Sequence, residues 1–270
     1  MKRIVCLFLF MVCSYSVFSQ NSDRFQSGSA KSLRGTIFSE LWFVSDSNNE
    51  WTENEITNLM FASIMAMSWI ENQSSQYNVD INFFLPFLET NIKQDNISED
   101  TGLLLSNILR TLGYNNRSEY YEMRRRQFDS VKEVIPFSNP FTVIFVKQDL
   151  ESAYLRGRSH ARDGYILDVA VVYYEPHNLA RNYYELVIAH EILHLFGARD
   201  FYWDPVLGIN SRDFAESIDR LFNNSVMSSF RHGFDLNRYS IDEITAWLIG
   251  WHNDLKEWYR RFLPEWYFRE

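Results

Sequence analysis

The sequence predicts an α/β or α+β protein built on a mixed sheet of about four or five strands. Three observations lead to this class. The 270 residues are 46% hydrophobic and 23% charged, which is the balance of a packed globular protein, and the length suits one large domain. Short segments rich in Val, Ile, Tyr and Phe are typical of strands. Longer segments between them repeat apolar residues at helical spacing.

The charge of the chain excludes one large class of partner. The 35 acidic residues outnumber the 26 basic ones, for a net charge of -9 and a pI near 5.2. Such a chain repels the phosphates of a nucleic acid unless a local basic patch overrides the global field. We therefore expect no nucleic-acid binding.

The first 19 residues have the pattern of a secretory signal peptide. Two basic residues precede an apolar run from Ile4 to Val12, and the small residue Ser19 offers a cleavage point. Nine apolar residues are too few to cross a bilayer, so we expect no transmembrane segment and a secreted or periplasmic location. A lipoprotein cut at Cys13 is the minor alternative. Because Cys6 and Cys13 both lie in this segment, any metal must be held by histidine and carboxylate side chains.

A strand, a helix and a second strand are expected to open the fold. Residues 20–35 are rich in Ser, Asn and Gln and predict a flexible leader. Residues 36–44 predict a strand, and residues 79–85 return to the same alternation. Between them, Thr52 and Glu55 have the spacing of a capping box, which marks the start of a helix.

The middle of the chain predicts an insertion followed by two strands. Residues 87–135 are mostly polar and predict a helical insertion, with helices near 102–112 and 119–131. Residues 141–147 and 165–174 are rich in Val, Ile and Tyr and predict the two clearest remaining strands.

Helices are predicted for the last third of the chain. A long helix is expected at 179–196, and a later helix is expected to be capped by Ser240 and Glu243. The aromatic residues at 251–268 favour an amphipathic C-terminal helix packed on the core. Residues 36–270 are therefore expected to form a single domain.

Two histidines and a glutamate on the long helix predict a metal site. His190 and His194 are four residues apart, so their imidazoles lie one helical turn above each other and can bind one ion. Glu191 flanks the same face, where its carboxylate can take a proton from a metal-bound water as a general base. Residues 186–196 are otherwise apolar on nearly every side, and ionisable groups buried there without a cation would be costly.

Gly197 and Asp200 extend this pattern beyond the helix. Gly197 suits the left-handed conformation that ends a helix and lets the chain double back. A returning loop can then bring the carboxylate of Asp200 to the same ion. Two imidazoles, one carboxylate and a water complete a tetrahedral catalytic site.

The run of His190, Glu191, His194, Gly197 and Asp200 resembles the signature of the metzincin zinc endopeptidases. The aspartate in the third-ligand position is similar to that of the snapalysin-type branch. The resemblance implies one catalytic Zn²⁺ held by the two histidines and the aspartate. It also implies hydrolysis of internal peptide bonds by a metal-activated water, with the glutamate as general base.

The segment around Met227 is similar to the methionine turn that lies beneath the metal in metzincins. The family likeness implies a mixed, mostly parallel twisted sheet of about five strands, a long active-site helix, the methionine turn and a C-terminal helix. It further implies a monomer whose protein or peptide substrate lies extended along an edge strand. Tyr165–Val169 and Tyr154–Gly157 are both candidates for that edge. Ser229 departs from the tyrosine that some metzincins carry two residues after the methionine, so the donor to the oxyanion is unassigned.

Two alternatives remain open at this point. Glu216 faintly resembles the downstream glutamate ligand of thermolysin-like gluzincins, which would replace Asp200 as the third ligand. The chain can also be a secreted binding module that keeps the fold without turnover. The remaining histidines are interpreted as surface or hydrogen-bonded residues: His160, His177, His232 and His252.

Overall fold

The computed structural model describes residues 30, 32–86, 89–95, 97–98, 100–147, 157–160, 168–174, 181–203 and 210–263. The strands within these ranges are β1 (Gly35–Ser45), β2 (Ile81–Phe84), β3 (Glu89–Lys93), β4 (Ser138–Lys147), β5 (Gly157–His160) and β6 (Asp168–Tyr174). The α-helices are α1 (Glu53–Ser74), α2 (Thr101–Thr111), α3 (Arg117–Lys132), α4 (Arg181–Leu195), α5 (Arg212–Leu221) and α6 (Glu243–Leu248). None of these described helices is long and apolar enough to cross a membrane.

The strands form one sheet in the order β2–β1–β4–β6–β5, with β3 also paired to β1. Ile37 of β1 pairs with both β2 and β4, and Phe43 pairs with both β3 and β4. Strands β2 and β3 therefore follow each other along one edge of β1, and the six strands occupy five positions. Every described pairing is parallel except that of β5 with β6. The predicted class, a mixed and mostly parallel sheet of about five strands with helices, is confirmed.

Helices cover both faces of the sheet, which explains why its central strands are apolar at nearly every position. On one face, the stacked rings of Phe43 and Phe145 join a buried cluster with residues of α1, α4 and α6. On the other face, Trp42 of β1 packs with Leu104 of α2 and Tyr120 of α3. Helix α4, which carries the predicted metal site, thus lies against the sheet in the larger of the two clusters.

The described residues of the polar segment 87–135 include one strand of the sheet and part of its apolar core. The strand is β3, which the sequence analysis did not predict because Ile92 is the one strongly apolar residue of that strand. Helices α2 and α3 follow it and cover one face of the sheet. Arg124 of α3 forms an ion pair of 2.5 Å with Glu40 of β1, and both side chains are largely buried. The two helices are predicted correctly, and the structure places them against one face of the sheet.

The end of the predicted leader is packed, which corrects the expectation of flexibility for its last residues. Ala30 and Leu33 are fully buried. The Leu33 carbonyl accepts a hydrogen bond of 3.0 Å from the indole Nε1 of Trp251. The helix predicted at 251–268 is also wrong over the described part, since residues 251–256 are not helical and only Glu257–Arg261 forms a short 3-10 helix. Trp251 is 2% exposed and its indole is bonded to the leader, so its burial does not require a helix.

The cap of α6 differs from the prediction as well. Asp242 is the N-cap, and its Oδ1 accepts hydrogen bonds from the backbone amides of Ile244 and Thr245. Ser240, the predicted cap, lies two residues too early. It forms an isolated parallel bridge with Ser225 instead.

A buried ion pair fixes the start of α1 to the sheet. Thr52 and Glu55 form the predicted capping box, in which the Thr52 amide donates to Glu55 Oε2 at 2.8 Å. Lys147, the last residue of β4, donates through Nζ to the same carboxylate at 2.7 Å. Burial disfavours the charged carboxyl, but the hydrogen bonds from Lys147 and Thr52 hold the pKa of Glu55 below its usual value.

Replacing Lys147 by methionine should lower the free energy of unfolding by about 1–3 kcal/mol, between the values for exposed and fully buried pairs, because Glu55 loses its counter-ion. Urea unfolding followed by circular dichroism measures the change. Lys93→Met is the matched control, since the Lys93–Glu50 pair is 67% and 64% exposed and should contribute little. Equal losses in the two variants would contradict this account of α1.

Candidate metal centre

The two predicted histidine ligands lie side by side near the end of α4. The Nε2 atoms of His190 and His194 are 3.1 Å apart, and their ring planes are nearly perpendicular, at 89°. The helix is buried along almost its whole length, and the His190 side chain is 6% exposed and that of His194 17% exposed. Helical spacing alone brings the two nitrogens to one point.

A glycine turn after α4 brings in the third predicted ligand. Gly197 has φ +104°, and its amide donates to the His194 carbonyl at 3.0 Å while the Ala198 amide donates to the Leu193 carbonyl at 3.1 Å. This pair of bonds is a Schellman motif, which reverses the chain at a helix end. The reversal places Oδ1 of Asp200 3.0 Å from His190 Nε2 and 3.1 Å from His194 Nε2.

The three donor atoms have the spacing that a small tetrahedral cation requires. Zn²⁺ bound at about 2.0–2.1 Å separates neighbouring ligand atoms by about 3.3 Å. The observed separations among His190, His194 and Asp200 are 3.0–3.1 Å, a few tenths of an ångström shorter. Two imidazole nitrogens and a carboxylate oxygen are also a donor set that zinc accepts in catalytic sites. The residues therefore fit the ion that the sequence analysis predicts.

Glu191 lies beside this triangle. One of its carboxylate oxygens is within 4.8 Å of a ring nitrogen of each histidine, and the residue is 5% exposed. This places the carboxylate next to the two imidazoles, within reach of a water bound at the same point. The geometry thus allows the general-base position expected from the sequence.

Each imidazole is hydrogen-bonded through its Nδ1 atom to a backbone carbonyl. The Nδ1 of His190 is 2.9 Å from the Val226 carbonyl, and the Nδ1 of His194 is 2.9 Å from the Ala198 carbonyl. A carbonyl only accepts, so each Nδ1 carries the proton and donates it. In the neutral form of each ring, this leaves the Nε2 lone pair directed at the common point, the arrangement that metal-binding histidines require.

The imidazolium form of His194 and the carboxylate of Asp200 stabilise each other. Burial disfavours the imidazolium of His194, but the neighbouring Asp200 carboxylate outweighs it and raises the pKa of His194 to about 9. Burial likewise opposes ionisation of Asp200, yet His194 and His190 hold the pKa of Asp200 well below its usual range. A strong cation-binding field therefore exists at this point, which a proton or a metal ion can satisfy.

The turn around Met227 is hydrogen-bonded to the segments that carry two of the three predicted ligands. Met227 is fully buried in the same apolar cluster as Leu193 of α4. Its carbonyl accepts a hydrogen bond of 2.8 Å from the amide of Phe201, the residue after Asp200. Together with the Val226 carbonyl on His190, the turn thus contacts the chain at two of the three ligand positions.

Several contributors to the centre were not found from the sequence. They include the carbonyls of Val226 and Ala198 and the side chain of Asn210, whose Nδ2 donates to the carbonyls of Asp200 and Tyr202 at 2.9 and 3.0 Å. The role of a backbone carbonyl cannot be predicted from residue type, since every residue has one. Asn210 has φ +52°, a conformation in which asparagine is enriched, but that preference alone does not indicate a partner.

The alternative ligand, Glu216, is placed elsewhere. Its carboxylate pairs with Arg212 at 3.1 Å and with Arg220 at 3.6 Å along α5, and its side chain is 41% exposed. Asp200, by contrast, touches both histidines. Ser229, in the position after the methionine turn, accepts a hydrogen bond of 2.8 Å from Nε of Arg231.

Two of the four remaining histidines are hydrogen-bonded to backbone, as expected. His232 and His252 donate through Nε2 to the carbonyls of Asn223 and Glu243. His160 lies in β5, and His177 falls outside the described residues.

Only one of the two proposed edges is compatible with the sheet. Val169 belongs to β6, which pairs with β4 on one side and β5 on the other, so this end of the first candidate is not a free edge, and residues 165–167 lie outside the described residues. Strand β5 is the last strand of the described sheet, and Gly157 is its first residue. Residues 154–156 of the second candidate lie outside the described residues.

Comparisons with known proteins give weak structural likenesses. No protein-family model and no curated protein sequence matches this chain. The structure is similar to that of OgpA from Akkermansia muciniphila, with a TM-score of 0.41 and 11% identity over 82% of this chain, and to that of metalloproteinase-II from Bacteroides fragilis, with 0.37 and 11% over 83%. A complex of catalytically inactive OgpA with an O-glycopeptide gives 0.36 and 10% over 82%. The matches span 56–60% of those chains.

Replacing Gly197 by alanine should lower both stability and metal affinity, because φ +104° strains any residue with a Cβ and the turn carries Asp200. We expect a loss of about 1–2 kcal/mol in unfolding free energy and a weaker affinity for Zn²⁺ in chelator competition. Gly113→Ala is the matched control, since Gly113 (φ +90°) ends α2 with the same pair of hydrogen bonds. It should lose similar stability and no affinity, so equal affinities in both variants would count against this role of the turn.

Proposed function

We propose that this chain is a secreted zinc-dependent endopeptidase in which His190, His194 and Asp200 hold the ion and Glu191 is the general base. The observation that carries the proposal is the convergence of the three donor atoms to within 3.1 Å, with the Glu191 carboxylate beside them. Secretion rests on the signal-peptide pattern of residues 1–19, which lie outside the described residues.

Zinc is the ion that this donor set favours. Mixed imidazole and carboxylate ligands in a closed triangle suit zinc, whereas Mg²⁺ and Ca²⁺ prefer six or more oxygen ligands. Asp200 contributes one negative charge, which partly neutralises a dication in a region of low solvent exposure. Bound zinc would polarise the scissile carbonyl and make a water molecule more acidic.

The residues of the chain then have separate tasks. Glu191 accepts the proton of the attacking water and transfers it to the departing amine nitrogen, which is the task of a general base that later acts as an acid. The burial of Glu191, 5% exposed, favours that proton transfer because bulk water does not compete for the carboxylate. His190 and His194 keep their Nδ1 protons on the Val226 and Ala198 carbonyls, so their Nε2 atoms stay available to the ion.

A protein or peptide substrate is proposed to lie extended along β5. This strand is the antiparallel end of the described sheet and packs beside α4, which carries the histidines. An extended peptide can add to such an edge through main-chain hydrogen bonds, while its side chains provide specificity. A single chain contributes all the residues of the centre, so the proposal needs no second subunit.

Glu191→Gln should retain zinc and lose at least a hundredfold in kcat/KM on an unstructured protein such as casein, because the amide cannot take up the proton. Glu185→Gln is the matched control, since Glu185 lies on the same helix and pairs with the half-exposed Arg181. Fluorescence of labelled casein and metal analysis of each purified protein provide the measurements. If the wild type is fully loaded with zinc and cleaves nothing, the proposal of a peptidase fails and a binding module is favoured.

Asp200→Ala should reduce zinc affinity by at least tenfold, whereas Glu216→Ala should leave it unchanged, because only Asp200 contacts both histidines. Zinc content after dialysis against a weak chelator distinguishes the two. Retention of zinc by Asp200→Ala together with its loss from Glu216→Ala would support the gluzincin-type arrangement instead. His190→Ala serves as the reference for complete loss of the ion.

A further inference from the structure

One short turn supports two of the three proposed zinc ligands. In the segment Ser225–Ser228, the Val226 carbonyl accepts the Nδ1–H of His190 at 2.9 Å. The next carbonyl, of Met227, accepts the amide of Phe201 at 2.8 Å and so fixes the chain directly after Asp200. A shift of this turn would therefore displace an imidazole and a carboxylate together, while His194, held by Ala198, would stay in place.

The turn is itself attached to a buried carboxylate at the start of α6. Ser225 donates through Oγ to Oδ2 of Asp242 at 2.6 Å, and the same Oγ accepts the amide of Met227 at 3.2 Å. The Ser225 hydroxyl thus connects Asp242 directly to the backbone of the turn. Asp242 is 5% exposed, so water does not compete for this contact.

Both carboxylate oxygens of Asp242 accept hydrogen bonds, each from a different set of donors. Oδ1 accepts the amides of Ile244 and Thr245 at 3.0 and 2.9 Å, which caps α6. Oδ2 accepts two hydroxyls, those of Ser225 and Thr245, each at 2.6 Å. A helix cap needs only the first oxygen, and an asparagine would serve it equally well. The hydrogen bonds that Oδ2 accepts are therefore not needed for the cap.

We propose that Asp242 is a positioning residue of the metal centre, which holds the Ser225–Ser228 turn and through it orients His190 and Asp200. This role rests on the proposed zinc site, because the centre it positions is the one formed by those ligands. The contacts run from Asp242 to Ser225, from Ser225 to the Met227 amide, and from the two carbonyls of the turn to the ligand-bearing segments. Every step is a hydrogen bond of 3.2 Å or less.

Three variants separate positioning from stability. Ser225→Ala removes the link to the turn and leaves the cap of α6 intact. Asp242→Asn keeps the cap through its Oδ1 but places an amide group where two hydroxyls donate. Thr245→Val is the matched control, because it removes a hydroxyl from the same Oδ2 without touching the turn.

Two measurements on the full chain test the proposal. The first is the affinity for Zn²⁺ in competition with a chromophoric chelator, which we expect to fall by ten- to a hundredfold in Ser225→Ala and Asp242→Asn and less than twofold in Thr245→Val. The second is the ring NMR signal of the His190 Nδ1 proton in metal-free protein at fixed pH, which should shift or exchange faster in the first two variants only. Urea unfolding reports the stability of all three.

The outcomes distinguish this proposal from the proposed function. A wild-type chain that binds no zinc defeats the proposed function, while the NMR measurement still decides whether Asp242 orients His190. An unchanged His190 signal and unchanged zinc affinity in Ser225→Ala would overturn the positioning role. So would equal losses of affinity in Ser225→Ala and Thr245→Val, because the effect would then follow stability and not the turn.

Discussion

The convergence of two imidazoles and a carboxylate in an otherwise apolar region is the feature on which the neighbouring structure depends. Such groups are costly to bury unless each finds a partner. In this chain the protein itself provides the partners. Nδ1 of each histidine is within hydrogen-bond distance of a backbone carbonyl, and each Nε2 lies within 3.1 Å of Asp200 Oδ1. A dication at the shared point, as proposed above, would balance the remaining charge of these groups on a helix that is buried nearly all round.

The parts of the centre that follow from short-range geometry could be predicted from sequence. The four-residue spacing of His190 and His194 and the helix-ending conformation of Gly197 are local properties, and the structure has both. The position of Asp200 followed from the same reversal of the chain. The carbonyl partners could not be predicted, because the Val226 carbonyl reaches His190 only through the packing of segments 36 residues apart. Asp242 was missed for a related reason, since the pattern of its cap was assigned to Ser240.

The sheet likewise has strands that the sequence predicts and one that it does not. Strands β1, β4 and β6 are buried on both faces, so their composition alone marks them as strands. Strand β3 has a single buried apolar side chain and is stabilised by pairing with β1, which its sequence does not indicate. The helices that follow it were recognised, but their place on the second face depends on contacts such as Arg124 with Glu40 that join distant parts of the chain. Local pattern therefore predicts elements better than it predicts the layer to which they belong.

The ligands, the turn and Asp242 all lie between residues 190 and 242, whereas the central pairing of β1 with β4 joins residues as far apart as Leu41 and Val143. Closing short loops costs less chain entropy than aligning distant strands. We therefore expect the centre to belong to a local folding unit that assembles ahead of the complete sheet. Binding of the proposed ion during folding would then affect the folding rate as well as the stability of the native protein. A chain secreted into a compartment with little zinc would fold more slowly.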